Sequence, residues 1–141
     1  FFRLGSTVVP CRDGIMQSLF AATARSGDVF LCCSLGGNNQ AELEAIKIAQ
    51  EYGGYCIALC PPNTKMETAV DLAVPVETRT DYDGIDIYGP TAARYSMLLT
   101  IDLIAFIAAI KTQDSSTESL RRLKHQFVAH IEPDPTMPIS D

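Results

Sequence analysis

The sequence predicts an α/β fold: a parallel sheet with helices on both faces. Three observations carry this expectation. Two continuous apolar runs, Val29-Phe30-Leu31-Cys32-Cys33 and Tyr55-Cys56-Ile57-Ala58-Leu59-Cys60, read as strands covered on both faces. Stretches with helical apolar spacing alternate with them, over connections short enough for right-handed crossovers. The 141 residues, 47% hydrophobic and 20% charged, make one domain's length and exclude disorder over most of the chain.

The elements follow in chain order. Phe1 to Leu4, closed by Gly5, read as the last turn of a helix with a glycine just past its end. Thr7-Val8-Val9-Pro10-Cys11 is a short β-rich run, and Pro10 places it at a sheet edge. Asp13 can cap a helix over 13–24, with Ile15, Met16, Leu19 and Phe20 on one apolar face. Gly27-Asp28 turns into the first buried run. After it comes a polar, glycine-containing loop, Ser34-Leu35-Gly36-Gly37-Asn38-Asn39.

A helix over 40–52 follows, with Leu43, Ile46 and Ala49 as its stripe. Asn39 and Glu42 have capping-box spacing, with Asn in place of Ser or Thr. Gly53-Gly54 stop the helix, and the second buried run begins. Pro61-Pro62-Asn63 is a loop, 65–70 a short helix, and 72–76 a last strand that Pro75 assigns to an edge. Residues 79–90 form a polar loop with Asp81, Asp83, Asp86, Tyr82 and Tyr88. Pro90 suits the first turn of a long apolar helix reaching Thr112. A second helix spans 115–131, and the proline-rich residues 132–141 read as a mobile tail.

The longest apolar run, 97–110, contains Asp102 and is shorter than a membrane span. It reads as a core helix, buried against the sheet and against a partner subunit. We expect no membrane association and a cytoplasmic protein. The five cysteines, Cys11, Cys32, Cys33, Cys56 and Cys60, are an odd count for a disulfide framework and read as buried free thiols in a reducing compartment. Cys56 and Cys60 have a spacing seen in some zinc sites, but no second ligand pair follows, so no metal is expected.

Lys+Arg 11 against Asp+Glu 17, a net charge of -6, argues against nucleic-acid binding by this stretch, which needs a basic face. The basic residues Arg121, Arg122 and Lys124, with His125 and His130, make a small basic helix that reads as a surface or interface. The chemistry concentrates at the loop 34–39, because ligands of such sheets bind beyond the carboxyl ends of the strands. Free N–H groups and the dipole at the helix start favour an anion. Gly36 and Gly37 allow close backbone approach, while Ser34, Asn38 and Asn39 add side-chain donors. Convergence of several donors on one centre suits a phosphate. A tight strand-to-helix turn capped by Asn39 explains the same residues without a ligand. Arg94, at the start of the long helix, is either ligand-facing or paired with Asp102 or an acidic loop residue.

The run from Gly27 to Asn39 resembles the SIS (sugar isomerase) domain, in which Gly-Asp-Val and a strand lead into Ser-x-Ser-Gly-x-Thr and a helix. Residues 55–59 and 63–76 resemble that family's next strand, loop and short final strand. Pro90-Thr91-Ala92-Ala93-Arg94, then Leu98, Ile101 and Asp102, resemble the Ser-Arg…Leu-x-x-Ile-Asp helix of RpiR-type transcriptional regulators. Phe1 to Gly5 with Val8-Val9 resemble the end of their first SIS helix and their second strand.

The resemblance implies a flavodoxin-like five-stranded parallel sheet of order 2-1-3-4-5 over residues 1–131, self-associating as a dimer or tetramer. It also implies a phosphosugar ligand and a DNA-binding helix-turn-helix domain outside this chain. By position, Ser34 matches the first serine and would contact phosphate. Asn39 stands where the Thr stands, and Gly36 replaces the second serine. The first strand and its Gly-x-Gly-x-Ser loop are absent, and the chain opens on Phe1 rather than Met, so we expect them upstream. No cofactor is implied. A sugar-phosphate isomerase would need a carboxylate or His base beside the carbonyl carbon. Glu42 and Glu44 read instead as helix-start charges. An isomerase, or a degenerate SIS module that only dimerises, are the alternatives to a sensor.

Overall fold

The computed structural model describes residues 1–77 and 91–130. The polar loop expected over 79–90 and the tail 132–141 lie outside the described residues. The chain divides into two compact units, Pro10–Asp102 and Phe1–Val9 with Leu103–Asp141.

The first unit is built on three parallel strands, β1 (Val29–Cys33), β2 (Tyr55–Cys60) and β3 (Leu72–Pro75), in the order β1-β2-β3. Register runs Phe30 against Cys56 and Cys33 against Leu59, then Ile57 against Leu72 and Cys60 against Pro75. The parallel α/β class read from the sequence is therefore present, and these strands match the last three of the expected order. Helices lie on both sides of the sheet. They include α1 (Gly14–Ala21), α2 (Gln40–Glu51) and the one-turn α3 (Lys65–Ala69).

The core forms where sheet alternation meets helical periodicity. Cys56, Ala58 and Cys60 point to one face and are fully buried there with Ile46, Ala49, Ala45, Ala21 and Met66. Burying a side chain such as Ile46 stabilises by about 1.5–3 kcal/mol. Leu59, between Ala58 and Cys60, is fully buried outside that cluster, as are Ala93 and Met97, one turn apart on the next helix. Asp71 ties the start of β3 to β2. Its carboxylate accepts from the Cys56 amide at 2.7 Å and from Gln50 Nε2 at 3.2 Å, and these bonds hold its pKa below the usual carboxylate value.

Several expectations change. Residues 7–11 form no strand and are mostly exposed, because no neighbouring strand offers them a ladder. Val29–Cys33 lies at the sheet edge despite its two-faced apolar sequence, with Val29 and Cys33 exposed. The helix capped by Asp13 ends at Ala21 rather than Ala24. Its bulky residues Ile15, Met16 and Leu19 are exposed, and small residues make its packing face. A Cβ on Gly14 would sit 3.6 Å from Ala41 Cβ, while Ala21 and Ala24 are buried. Small residues permit the close approach that large ones would block.

The long helix α4 (Thr91–Lys111) passes from this unit into the second, where α5 (Gln113–His130) packs near the short 3₁₀ turn at Phe2–Leu4. Gly5 closes that turn with φ 90, as its position suggested. The expectation that α4 is a buried core helix fails for the isolated chain. Only 11% of its apolar stretch Ala93–Lys111 is buried, although mean hydropathy there is 1.7. By length and composition it is the one helix, among the described residues, apolar enough to cross a membrane.

Candidate functional site at the β1–α2 loop

The loop 34–39 leaves the carboxyl end of β1 and opens α2, as the sequence reading placed it. Its shape is set by hydrogen bonds within it. Ser34 is buried and its amide donates to Leu59 O at 2.9 Å, anchoring the strand end. Ser34 Oγ accepts from the Gly37 amide at 3.2 Å. Gly37 has φ 65, and a Cβ there would lie 2.6 Å from Thr64 Cβ. Only glycine satisfies both the left-handed backbone and that approach. Gly36 is exposed, and a Cβ on it would meet nothing within 4 Å.

The two asparagines do separate jobs. Asn39 Oδ1 accepts from the Ala41 and Glu42 amides at 3.0 and 3.4 Å and caps α2. Asn38 Nδ2 donates to Gly36 O at 3.0 Å, while its Oδ1 accepts from the Lys65 amide at 3.1 Å. Met66 N donates to Gly37 O at 3.0 Å, so the start of α3 is stitched to this loop. Among the described residues, the amides of Gly36, Asn38, Asn39 and Gln40 have no hydrogen-bond acceptor. These four donors lie at the positive end of a 12-residue helix.

Two residues at the loop were not singled out in sequence. Lys65 is exposed and follows Thr64, which packs on Gly37, so its cation belongs to this neighbourhood. Glu42 was read as a helix-start charge completing a capping box. The reciprocal arm of that box is not made among the described residues, and Glu42 Oε2 is buried without a hydrogen-bond partner. Its charge helps raise the pKa of Cys32 and Cys33, behind the larger effect of burial. Only the side-chain geometry reveals this, since a Glu in a first helical turn is ordinary.

Arg94 stands apart. It is exposed on α4, and no bond joins it to the loop 34–39 among the described residues. It lies about 12 Å along the helix axis from Asp102, at 1.5 Å per residue, so the two cannot pair within α4. The acidic residues Asp81, Asp83 and Asp86, with Tyr82 and Tyr88, lie outside the described residues. His125 is exposed on α5.

All five cysteines are free. Burial pushes Cys32 up to about 12 and Cys56 up to about 11, so both are neutral thiols. Cys33 is exposed, against the expectation of uniform burial, because alternation turns it away from the face that takes Cys32. No group of three or more His, Cys, Asp or Glu is placed to hold a metal among the described residues.

Comparison with known proteins gives the context. No family model matches the chain. It is 27% identical over 128 residues to the HTH-type transcriptional regulator HexR of Pseudomonas aeruginosa, covering 91% of this chain and 44% of that protein. It is 27% identical over 124 residues to HexR of Escherichia coli, covering 88% of this chain and 42% of that one. The chain thus spans less than half the length of these curated relatives, which are regulators rather than enzymes. Among solved structures, Vibrio vulnificus NanR complexed with ManNAc-6P superposes with a TM-score of 0.79 at 14% identity, covering 94% of this chain and 49% of that one. A putative sugar binding protein from Salmonella typhimurium superposes with a TM-score of 0.60 at 17% identity, covering 90% and 37%. The resemblance read at Gly27 to Asn39 agrees with these matches: the chain is similar in sequence to HTH-type transcriptional regulators, and it shares its α/β fold with the NanR structure.

Proposed function

We propose that this chain is the phosphosugar-sensing domain of an RpiR-type transcriptional regulator, with the phosphate held at the loop 34–39. The observation that carries this reading is the row of amides at Gly36, Asn38, Asn39 and Gln40, at the start of α2, which have no acceptor among the described residues. A dianionic phosphate would complete those donors and meet the helix dipole, and Lys65, whose amide bonds Asn38 Oδ1, is a candidate cation for it. Ser34 serves the site chiefly by fixing the Gly37 amide, and its own hydroxyl proton is free to donate. Asn38 and Asn39 act through the loop's shape, since their side-chain oxygens are occupied. The relatives are named as HTH-type regulators, and the NanR structure holds ManNAc-6P, which supports a sugar phosphate as the ligand class. With a net charge of -6, this chain leaves DNA contact to another part of the regulator.

A second reading rests on Glu42. A carboxylate oxygen that is buried without a hydrogen-bond partner among the described residues, as Glu42 Oε2 is, suits a base for proton transfer on a sugar phosphate. The regulator reading gives that carboxylate a different use, accepting a sugar hydroxyl. Calorimetry on the whole regulator separates the readings. An N-acetylhexosamine 6-phosphate binds and its unphosphorylated parent does not. Ser34→Ala weakens binding, with no turnover of aldose or ketose phosphates. Equal affinity for the two sugars, or for Ser34→Ala and the parent protein, sinks the phosphate loop. Turnover that disappears in Glu42→Gln establishes the enzyme.

A further inference from the structure

Lys65 is the cation that the chain itself ties to the loop 34–39. Its amide donates to Asn38 Oδ1 at 3.1 Å, and the next amide, of Met66, donates to Gly37 O at 3.0 Å. The preceding side chain, Thr64, packs so closely on Gly37 that a Cβ there would lie 2.6 Å from Thr64 Cβ. Contacts at three successive residues therefore fix where the Lys65 stem begins. Lys65 is exposed, and among the described residues its ammonium forms no ion pair, whereas Lys47 and Arg122 are paired with Glu51 and Glu118. The acid nearest it in sequence, Glu67, gives one carboxylate oxygen to the Asn63 amide at 2.6 Å.

Backbone amides and a helix dipole serve any tetrahedral oxyanion. The amides are neutral donors, and the dipole amounts to about half an elementary charge. Together they separate only weakly a phosphate monoester, largely a dianion at neutral pH, from a sulfate ester of the same shape and a single charge. A whole ammonium charge separates the two more strongly, because its Coulomb attraction grows with the charge of the ligand. We infer that Lys65 is the specificity-determining residue of the anion site. Its ammonium closes over the bound group and selects a phosphate monoester dianion over a sulfate ester monoanion. The inference rests on the sensor reading and narrows its ligand class. Asn38 is then a positioning residue, acting through the Lys65 amide.

The test is calorimetry on the whole regulator at neutral pH, with an N-acetylhexosamine 6-phosphate and the corresponding 6-sulfate. Wild type prefers the phosphate. Lys65→Met weakens phosphate binding by roughly five- to tenfold and sulfate binding by far less, so the preference shrinks. The salt dependence of phosphate binding falls in the same variant. Lys65→Arg keeps both properties, since it keeps the charge. Urea unfolding of these variants matches wild type, because the side chain is exposed. A Lys65→Met variant that unfolds more easily yet keeps the preference and the salt dependence assigns Lys65 a structural role and overturns the inference. Wild type that binds both esters equally also overturns it, as does Lys65→Arg that loses the preference as fully as Lys65→Met. Ser34→Ala separates the inference from the reading beneath it. If Ser34→Ala weakens phosphate binding while Lys65→Met leaves the preference intact, the inference fails and the sensor reading stands. If wild type binds neither ester, or Ser34→Ala binds the phosphate as wild type does, the inference falls together with that reading.

Discussion

Two apolar regions of this chain have opposite fates. Around β2, the side chains of Ile46, Leu59, Met66, Cys56 and Cys60 are entirely enclosed by strands and helices of the same chain. Along α4, side chains just as apolar face solvent, Phe106 at 64% and Leu99 at 61% exposure. Composition does not distinguish the two regions. Geometry does: β2 has a strand on each side and helices above and below, whereas α4 spends only one narrow face on its own chain. Hydrophobicity therefore reports that a surface will be covered, but not by what.

Truncating one side chain in each region would break this comparison most sharply. Ile46→Ala leaves a cavity in a closed core and costs about 2–5 kcal/mol in urea unfolding, independent of protein concentration. Phe106→Ala changes the stability of the monomer by no more than roughly 0.5 kcal/mol. Where α4 is covered by a second copy, as the family resemblance implies, its effect is a loss of concentration dependence in the melting temperature. Equal losses for the two variants would show that α4 is already covered within the chain.

The loop 34–39 gives the next largest effect. Gly37→Ala meets both a left-handed φ and the side chain of Thr64, and is expected to cost about 2–3 kcal/mol. The same change at Gly36, open on all sides, is expected to leave unfolding almost unchanged. A mild Gly37 variant would show that the loop moves freely away from α3. Asn39→Ala removes the α2 cap and costs about 1 kcal/mol in the same assay.

Much of this was legible in sequence for a physical reason. Val29–Cys33 and Tyr55–Cys60 were identified to the residue because unbroken apolar runs bounded by turn-forming residues, Asp28 and Ser34 or Gly54 and Pro61, have few alternatives. The Asn39 cap was legible because it is local. What was not legible depends on neighbours distant in sequence. Thr7 to Cys11 has strand composition but no strand to pair with, and α1 reverses its expected face because Gly14 and Ala21 fit against α2 where Ile15 and Leu19 would not. Glu42 looked like half of a capping box, and only its orphaned Oε2 shows that the second half is not made.

The smallest effect concerns the thiols. Burial raises the pKa of Cys32 and Cys56, so their reactive thiolate grows only as pH rises toward values of about 12 and about 11. Iodoacetamide is expected to label exposed Cys33 first, with a rate that climbs with pH, and to spare Cys56 and Cys60 until the protein unfolds. Early labelling of Cys56 would contradict the closed core.

The central claim, that the start of α2 holds the phosphate of a sugar phosphate, is tested most directly at the amides themselves. In a ¹⁵N-labelled regulator titrated with an N-acetylhexosamine 6-phosphate, the account predicts saturable shifts of the Gly36, Asn38, Asn39 and Gln40 amides. The unphosphorylated sugar should produce none of them. Binding that leaves these four amides unmoved while shifting residues elsewhere would contradict the account.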